Sequence, residues 1–249
     1  MPVTIAWAVK EDRVGEVRRI DLPVGVTLRL QSRSGRVNVI AEAREDIEAE
    51  TDSIETRIED SGGALLVRSS RGGSKTLTVR CPIDTDVSVG TQSGSVRLEG
   101  KFGAVSVTTM SGDIEIDDSE DLDARSMSGK LMINRCRGRC RLNAVSGKIH
   151  GADVDTAYVS SVSGSISLDR VVGDIRAKTV SGSIDLATLG DGVIAVKTIS
   201  GKVRITLPRG TEPQTHFKTR GSVRCEFPAG RDCRIEAQSL SGSIEVVPG

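Results

Sequence analysis

The chain is expected to be all-β: a single-chain β-solenoid, β-helix-like, of layers about 18 residues long with an irregular N-terminal β cap. Three observations predict this. A Ser-Gly pair recurs at near-constant spacing. Aliphatic residues fall in fixed columns on either side of each glycine. Aromatic residues, which fill most large globular cores, are scarce: one Trp, one Tyr and three Phe among 249 residues.

The pairs are Ser93-Gly94, Ser111-Gly112, Ser128-Gly129, Ser146-Gly147, Ser163-Gly164, Ser181-Gly182, Ser200-Gly201 and Ser241-Gly242. Gly221 keeps the rhythm with Arg220 in the serine position. From Gly94 to Gly242 the glycines lie 18, 17, 18, 17, 18, 19, 20 and 21 residues apart. A fixed short period is the mark of stacked repeats.

Two residues after each glycine stand Val96, Ile114, Leu131, Ile149, Ile166, Ile184, Val203, Val223 and Ile244. Four after it, most positions are again aliphatic, as at Leu98, Ile116, Ile133 and Leu168. Polar residues such as Arg97, Glu115 and Asp185 separate the two columns. This is the alternation of a strand with one buried face.

A second strand precedes the glycine. Its columns lie seven residues before (Val105, Leu122, Cys140, Ile175), five before (Val107, Leu142, Val159, Val196) and two before. The last holds Met110, Met127, Val145, Val162, Val180, Ile199 and Leu240. The expected inward positions are therefore −7, −5, −2, +2 and +4. The step from −5 to −2 breaks alternation, so the chain is expected to bend there. Glycine then turns the corner, because it alone tolerates tight or positive-φ backbone at no steric cost. Serine hydroxyls are expected to bond to corner backbone or to one another. Nine such layers, about 4.8 Å apart, make a rod about 40 Å long.

The N-terminal part is less regular. Residues 28–39 repeat the strand–Ser-Gly–strand pattern once, at Ser34-Gly35, out of phase with the main run. Residues 43–60 read as two strands, Ile47/Ala49/Thr51 and Ile54/Thr56/Ile58, with an acidic helix as the alternative. Ser61-Gly62-Gly63 marks a turn. Residues 1–80 form the cap and first layers, and 81–249 the regular solenoid, without a linker between them. The last layer, Ser243–Gly249, has no evident cap, and an uncovered edge invites pairing.

Composition limits the function. Lys plus Arg and Asp plus Glu both number 34, so the net charge is zero, and nucleic acid is not an expected partner. Arg135, Arg137, Arg139 and Arg141 read as a solvated face. No stretch approaches the ~20 apolar residues that span a bilayer, and Met1–Val9 does not resemble a signal peptide. Five cysteines cannot all pair internally, which suits a reducing cytoplasm. Cys140 and Cys225 occupy inward columns, while Cys136 and Cys140 lack a second ligand pair for a metal. His150 and His216 have no partners at useful spacing. Asp117-Asp118 and Glu120-Asp121 read as a solvated return loop. No glycine loop, nucleophile elbow or Walker motif occurs. The inward columns do not recur every six residues, unlike hexapeptide acyltransferases. The near Thr-x-Thr runs at Thr179–Ser181 and Thr198–Ser200 are interrupted by Ala144, unlike ice-binding arrays.

The stretch Thr76–Pro82, followed by Val87–Val96 and by turns of the type Val105–Ile116, resembles the bacterial β-strand-repeat domain labelled "putative adhesin". The resemblance covers most of the chain and implies a solenoid-like β fold without an active site. Some members belong to the cell envelope. The resulting expectation is a non-enzymatic scaffold or interaction module without cofactor, metal or small-molecule ligand. Its partner is a protein or a second copy, met through the terminal β layers. A surface or envelope-associated adhesin, held there by a partner, is the alternative.

Overall fold

A computed structural model describes residues 17–21, 27–51, 56–60, 64–69, 76–190 and 192–249. Met1–Val9, Ile54 and the Ser61–Gly63 turn lie outside them. The described residues contain 21 strands, joined in one sheet system, and no helix.

The regular run begins with β9 (Val96–Ser111), β10 (Ile114–Ser128), β11 (Leu131–Ser146) and β12 (Ile149–Ser163). Each starts just past one corner glycine and continues, around a return bend, to the serine before the next. Each pairs in parallel with its neighbours. Later coils break at the return bend, giving β13 (Ile166–Val171), β14 (Ile175–Ser181), β15 (Ile184–Thr188), β16 (Val193–Ser200) and β17 (Val203–Leu207).

The repeat length varies by a residue, yet the corners stay in register: Ser111 pairs with Ser128, and Ser128 with Ser146. The difference is absorbed at the return bend, where register shifts fall between Ile116 and Asp118, Ser119 and Leu122, and Cys136 and Arg139. Aspartates satisfy backbone N–H groups there. Asp86 accepts from the Ala104 amide at 2.8 Å, Asp121 from Arg139 at 2.7 Å, and Asp174 from Val193 at 2.9 Å. Ladder hydrogen bonds missed at an irregular bend are thus replaced by side-chain acceptors.

The core is one aliphatic column system, including Leu142, Ile149, Val159, Ile166 and Leu168. One expected column is wrong. The −2 residues Met110, Met127, Val145, Val162, Val180, Ile199 and Leu240 face outward, 44–54% exposed. The inward position is −3, occupied by Thr91, Thr109, Ser126, Ala144, Ser161, Thr179, Thr198 and Ser239. Alternation therefore runs unbroken to the corner. The side chains that point inward beside the corner are all small: Thr, Ser or Ala. Thr179 and Thr198 donate to the carbonyls of Ser181 and Ser200, each at 3.3 Å, closing the turn locally. Because both threonines are buried, no flat threonine array faces solvent.

Both ends depart from sequence order. At the first, β2 (Thr27–Ser34) and β3 (Arg36–Glu42) pair directly with β8 (Val87–Ser93) and β9. Ser34 sits opposite Ser93. The Ser34-Gly35 coil is therefore in phase with the main run, contrary to expectation; an insertion separates it only in sequence. Within that insertion, β6 (Ala64–Ser69) and β7 (Thr76–Pro82) form a coil outside β2–β3. The described part of 43–60 supplies two strands, β4 (Asp46–Thr51) and β5 (Thr56–Asp60), in place of the acidic-helix alternative. β4 runs antiparallel to β7, β5 to β6, and β1 (Val17–Asp21) to β4. Ile47 and Ala49 of β4 are buried, so this end has a lid. Arg44 fixes the turn into it by binding Asp46, Glu42 and Glu48 at 2.8–3.0 Å. Hydrogen bonding to Asp46, then to Glu48 and Glu42, holds its guanidinium well above its ordinary range.

At the other end, β20 (Arg234–Ser241) and β21 (Ile244–Pro248) pair with β16 and β17. On their far side they pair with β18 (Gln214–Thr219) and β19 (Val223–Cys225). The spatial order of corners is Gly201, Gly242, Gly221. The expectation of an uncovered final layer at Ser243–Gly249 is therefore overturned. That layer lies inside the stack, with Ile244 and Val246 fully buried. The exposed end layer is β18–β19.

Candidate functional site

Three features of this surface bear on function: the corner file, the outward sheet faces and the end layer. Gly35, Gly94, Gly112, Gly129, Gly147, Gly164, Gly182, Gly201, Gly242 and Gly221 stand in one file, and a Cβ on any of the last nine would collide with the preceding glycine's carbonyl oxygen. The backbone ladder runs through the corner. Gly94 N–H donates to Ser111 O at 2.9 Å, and Val96 N–H to Asp113 O at 2.9 Å. Serine hydroxyls reach back one layer: Ser128 to the Met110 carbonyl at 3.4 Å, and Ser146 to that of Met127 at 3.3 Å. Ser93, Ser111, Ser163, Ser181, Ser200 and Ser241 hold the same position in their own layers.

On the opposite sheet, Arg97, Glu115, Met132 and His150 line an open hollow of about 480 Å³ with Glu99, Asp117, Asn134 and Ala152. Its charges are tied to one another. Arg97 reaches Glu99 at 2.8 Å and Glu115 at 3.7 Å; Asn134 donates to Asp117 at 3.0 Å. His150 lies 3.6 Å from Asp169. Higher on this face, hydrogen bonding from Lys202, with Arg204, keeps the Glu245 carboxyl below its usual range. His216 stands exposed on β18.

The return bends carry ion pairs between layers. Arg137 meets Asp118 at 2.9 Å and Glu120 at 3.5 Å; Asp153 bridges Arg135 and Arg170 at 3.3 and 3.1 Å; Arg141 lies 3.7 Å from Asp123. The acidic run at 117–121 is thus engaged by Asn134, Arg137 and backbone amides. Among the described residues no group of three His, Cys, Asp or Glu side chains is placed to hold a metal.

All five cysteines are free thiols, and four are buried. Cys225 keeps its inward column but is exposed, because its layer is the end layer. Burial pushes the Cys81 thiol up to about 11; hydrogen bonding between Cys136 and Cys140, with burial, raises Cys140 but lowers Cys136, which is protected by its burial alone. Thiolate is the reactive form. A thiol-labelling titration of the native protein at mildly alkaline pH is therefore expected to modify Cys225 rapidly. Cys81, Cys136, Cys140 and Cys233 should react only after unfolding. Fast labelling of a Cys225→Ser variant would contradict this.

A family model described as Toastrack DUF4097 matches residues 30–247, nearly the whole solenoid. The chain belongs to this family. A comparison of the Toastrack chain with curated proteins returns no match. Among solved structures it is similar to a putative adhesin from Bacteroides fragilis, with 11% identity and a TM-score of 0.49, over 96% of this chain and 100% of that one. Two others are a putative adhesin from Parabacteroides merdae (12% identity, TM-score 0.35, 94% and 98% covered) and a putative cell adhesion protein from Clostridium sporogenes (10%, 0.28, 94% and 100%). Sequence columns pointed to the Toastrack corner file. The exposed −2 column follows from unbroken strand alternation, whereas the swapped end layers have no local signal in the sequence. Among the described residues no helix is long and apolar enough to cross a membrane.

Proposed function

We propose that this Toastrack chain is a non-enzymatic interaction module whose end layer joins a second copy by strand addition. One observation carries the reading: the end layer β18–β19 leaves inward apolar columns uncovered. β18 pairs only with β20 and β19 only with β21, among the described residues, which leaves one edge of each without a neighbour. Val223 and Cys225 sit in columns that are buried in every inner coil with an aliphatic there, yet both are exposed here, and Phe217 is half-buried. A strand edge with free N–H and C=O groups beside unfilled apolar columns is a template for another strand. The five free thiols suit a reducing compartment, so we place the module in the cytoplasm.

Light scattering at rising concentration tests this. The wild type is expected to gain mass as concentration rises, and Phe217→Lys with Val223→Lys to remain monomeric with an unchanged circular dichroism spectrum. A wild type that is monomeric at millimolar concentration overturns the self-association. An end layer that instead takes a strand from a different protein would favour the adhesin reading.

A further inference from the structure

The seven −2 side chains form a continuous ridge. Their layers stack consecutively, since β9, β10, β11, β12, β14, β16 and β20 pair in that order. Seven rungs span about 29 Å. The ridge lies beside the Ser-Gly corner, and none of its residues lines the hollow formed around Arg97 and His150. A soluble surface rarely keeps so long an apolar row without a partner.

The columns on either side are basic. In the same seven layers, positions −4 and +1 carry Arg125, Lys130, Lys148, Lys178, Lys197 and Lys202, against one acid, Asp113. Arg125 pairs with Asp123 at 2.8 Å and Lys202 with Glu245 at 2.9 Å. Among the described residues no carboxylate lies within ion-pairing distance of Lys130, Lys148, Lys178 or Lys197. A chain with zero net charge thus concentrates cations along this apolar ridge.

From this juxtaposition we infer that the corner edge is a docking surface for an anionic lipid bilayer. The Met, Val, Ile and Leu tips enter the headgroup boundary, and the lysines meet lipid phosphates on both sides. The four lysines without a carboxylate partner, set along both flanks of an exposed apolar row, match a surface of lipid phosphates over an apolar interior. Apolar area plus cationic flanks is the combination that holds peripheral proteins on anionic membranes. The end-layer edge at β18 has no part in it.

Co-sedimentation with vesicles decides the matter, using phosphatidylcholine alone and phosphatidylcholine with about 30% phosphatidylglycerol, at about 0.1 M salt. The wild type is expected to pellet with the anionic vesicles and to be released by high salt. Met127→Ser/Val145→Ser/Val162→Ser/Val180→Ser should lose at least about tenfold in apparent affinity. Lys130→Gln/Lys148→Gln/Lys178→Gln/Lys197→Gln should lose as much, with folding unchanged by circular dichroism. The lysine variant keeps the test valid if the serine variant is unstable. The inference is overturned if the wild type stays in the supernatant, or if a folded variant binds as tightly as the wild type. It is equally overturned if the ridge variants abolish a dimer while vesicle binding is absent, for then the occupant is a second copy.

Discussion

Gly182→Val is expected to lower stability by about 2–5 kcal/mol, the sum of a left-handed backbone penalty and overpacking. Gly182 has φ +138°, and an added Cβ would drive into the Gly164 carbonyl. That carbonyl cannot simply move aside, because its own coil is held on both sides; Gly147 N–H donates to Ser163 O at 3.3 Å, and Gly164 N–H to Ser181 O at 3.1 Å. In a protein of this size the melting temperature should fall by roughly 5–15 °C. Gly90→Ala supplies the control. It lies in β8, and nothing is within 4 Å of its added Cβ. The change should be neutral or slightly stabilising, because alanine loses less chain entropy than glycine on folding. Calorimetry of the two variants checks the pair. Equal melting temperatures would mean that the corner yields at no cost.

The second large effect is a contrast of two deletions. Removing residues 241–249 takes away β21 and a corner from inside the stack. Ile244 and Val246 are fully buried, each contributing about 1.5–3 kcal/mol, and β17 and β19 both lose their shared partner. This nine-residue truncation should abolish cooperative unfolding of the C-terminal coils. Removing 208–230 deletes 23 residues yet should be milder. Gly201 and Gly242 lie 41 residues apart, so the excision returns their spacing to 18, the ordinary repeat. The β20–β21 coil keeps its pairing with β16 and β17 and becomes the end layer. Denaturant unfolding with hydrogen exchange resolves the two. A truncated 1–240 chain as stable as the full chain would contradict the swapped order.

Much of the coil was legible in residue order. In the inner coils the +2 and +4 columns and the −7 and −5 columns are buried where aliphatic residues recur, as at Ile149, Leu168, Ile175 and Val196. In the −2 column aliphatic identity is not a sign of burial. Met127 and Val180 are apolar yet exposed, while their neighbours Ser126 and Thr179 are polar yet buried. The geometric rule of alternation was the better guide there, since parity along a strand is set by the backbone and not by hydrophobicity. The lid at 43–60 was legible as strands but not as antiparallel strands, since direction follows from where the chain has to return.

The period, the alternation and the corner glycines belong to the sequence alone, because each is enforced within a single coil by backbone geometry. Which coil lies beside which was decided only in three dimensions. Every coil presents nearly the same columns and the same edge hydrogen bonds, so Gly201 could rest against Gly221 or Gly242 with similar contacts. Neighbour choice then depends on the pairing of β6–β7 outside β2–β3 and of β18–β19 outside β20–β21, and on which layers gain from burying both edges.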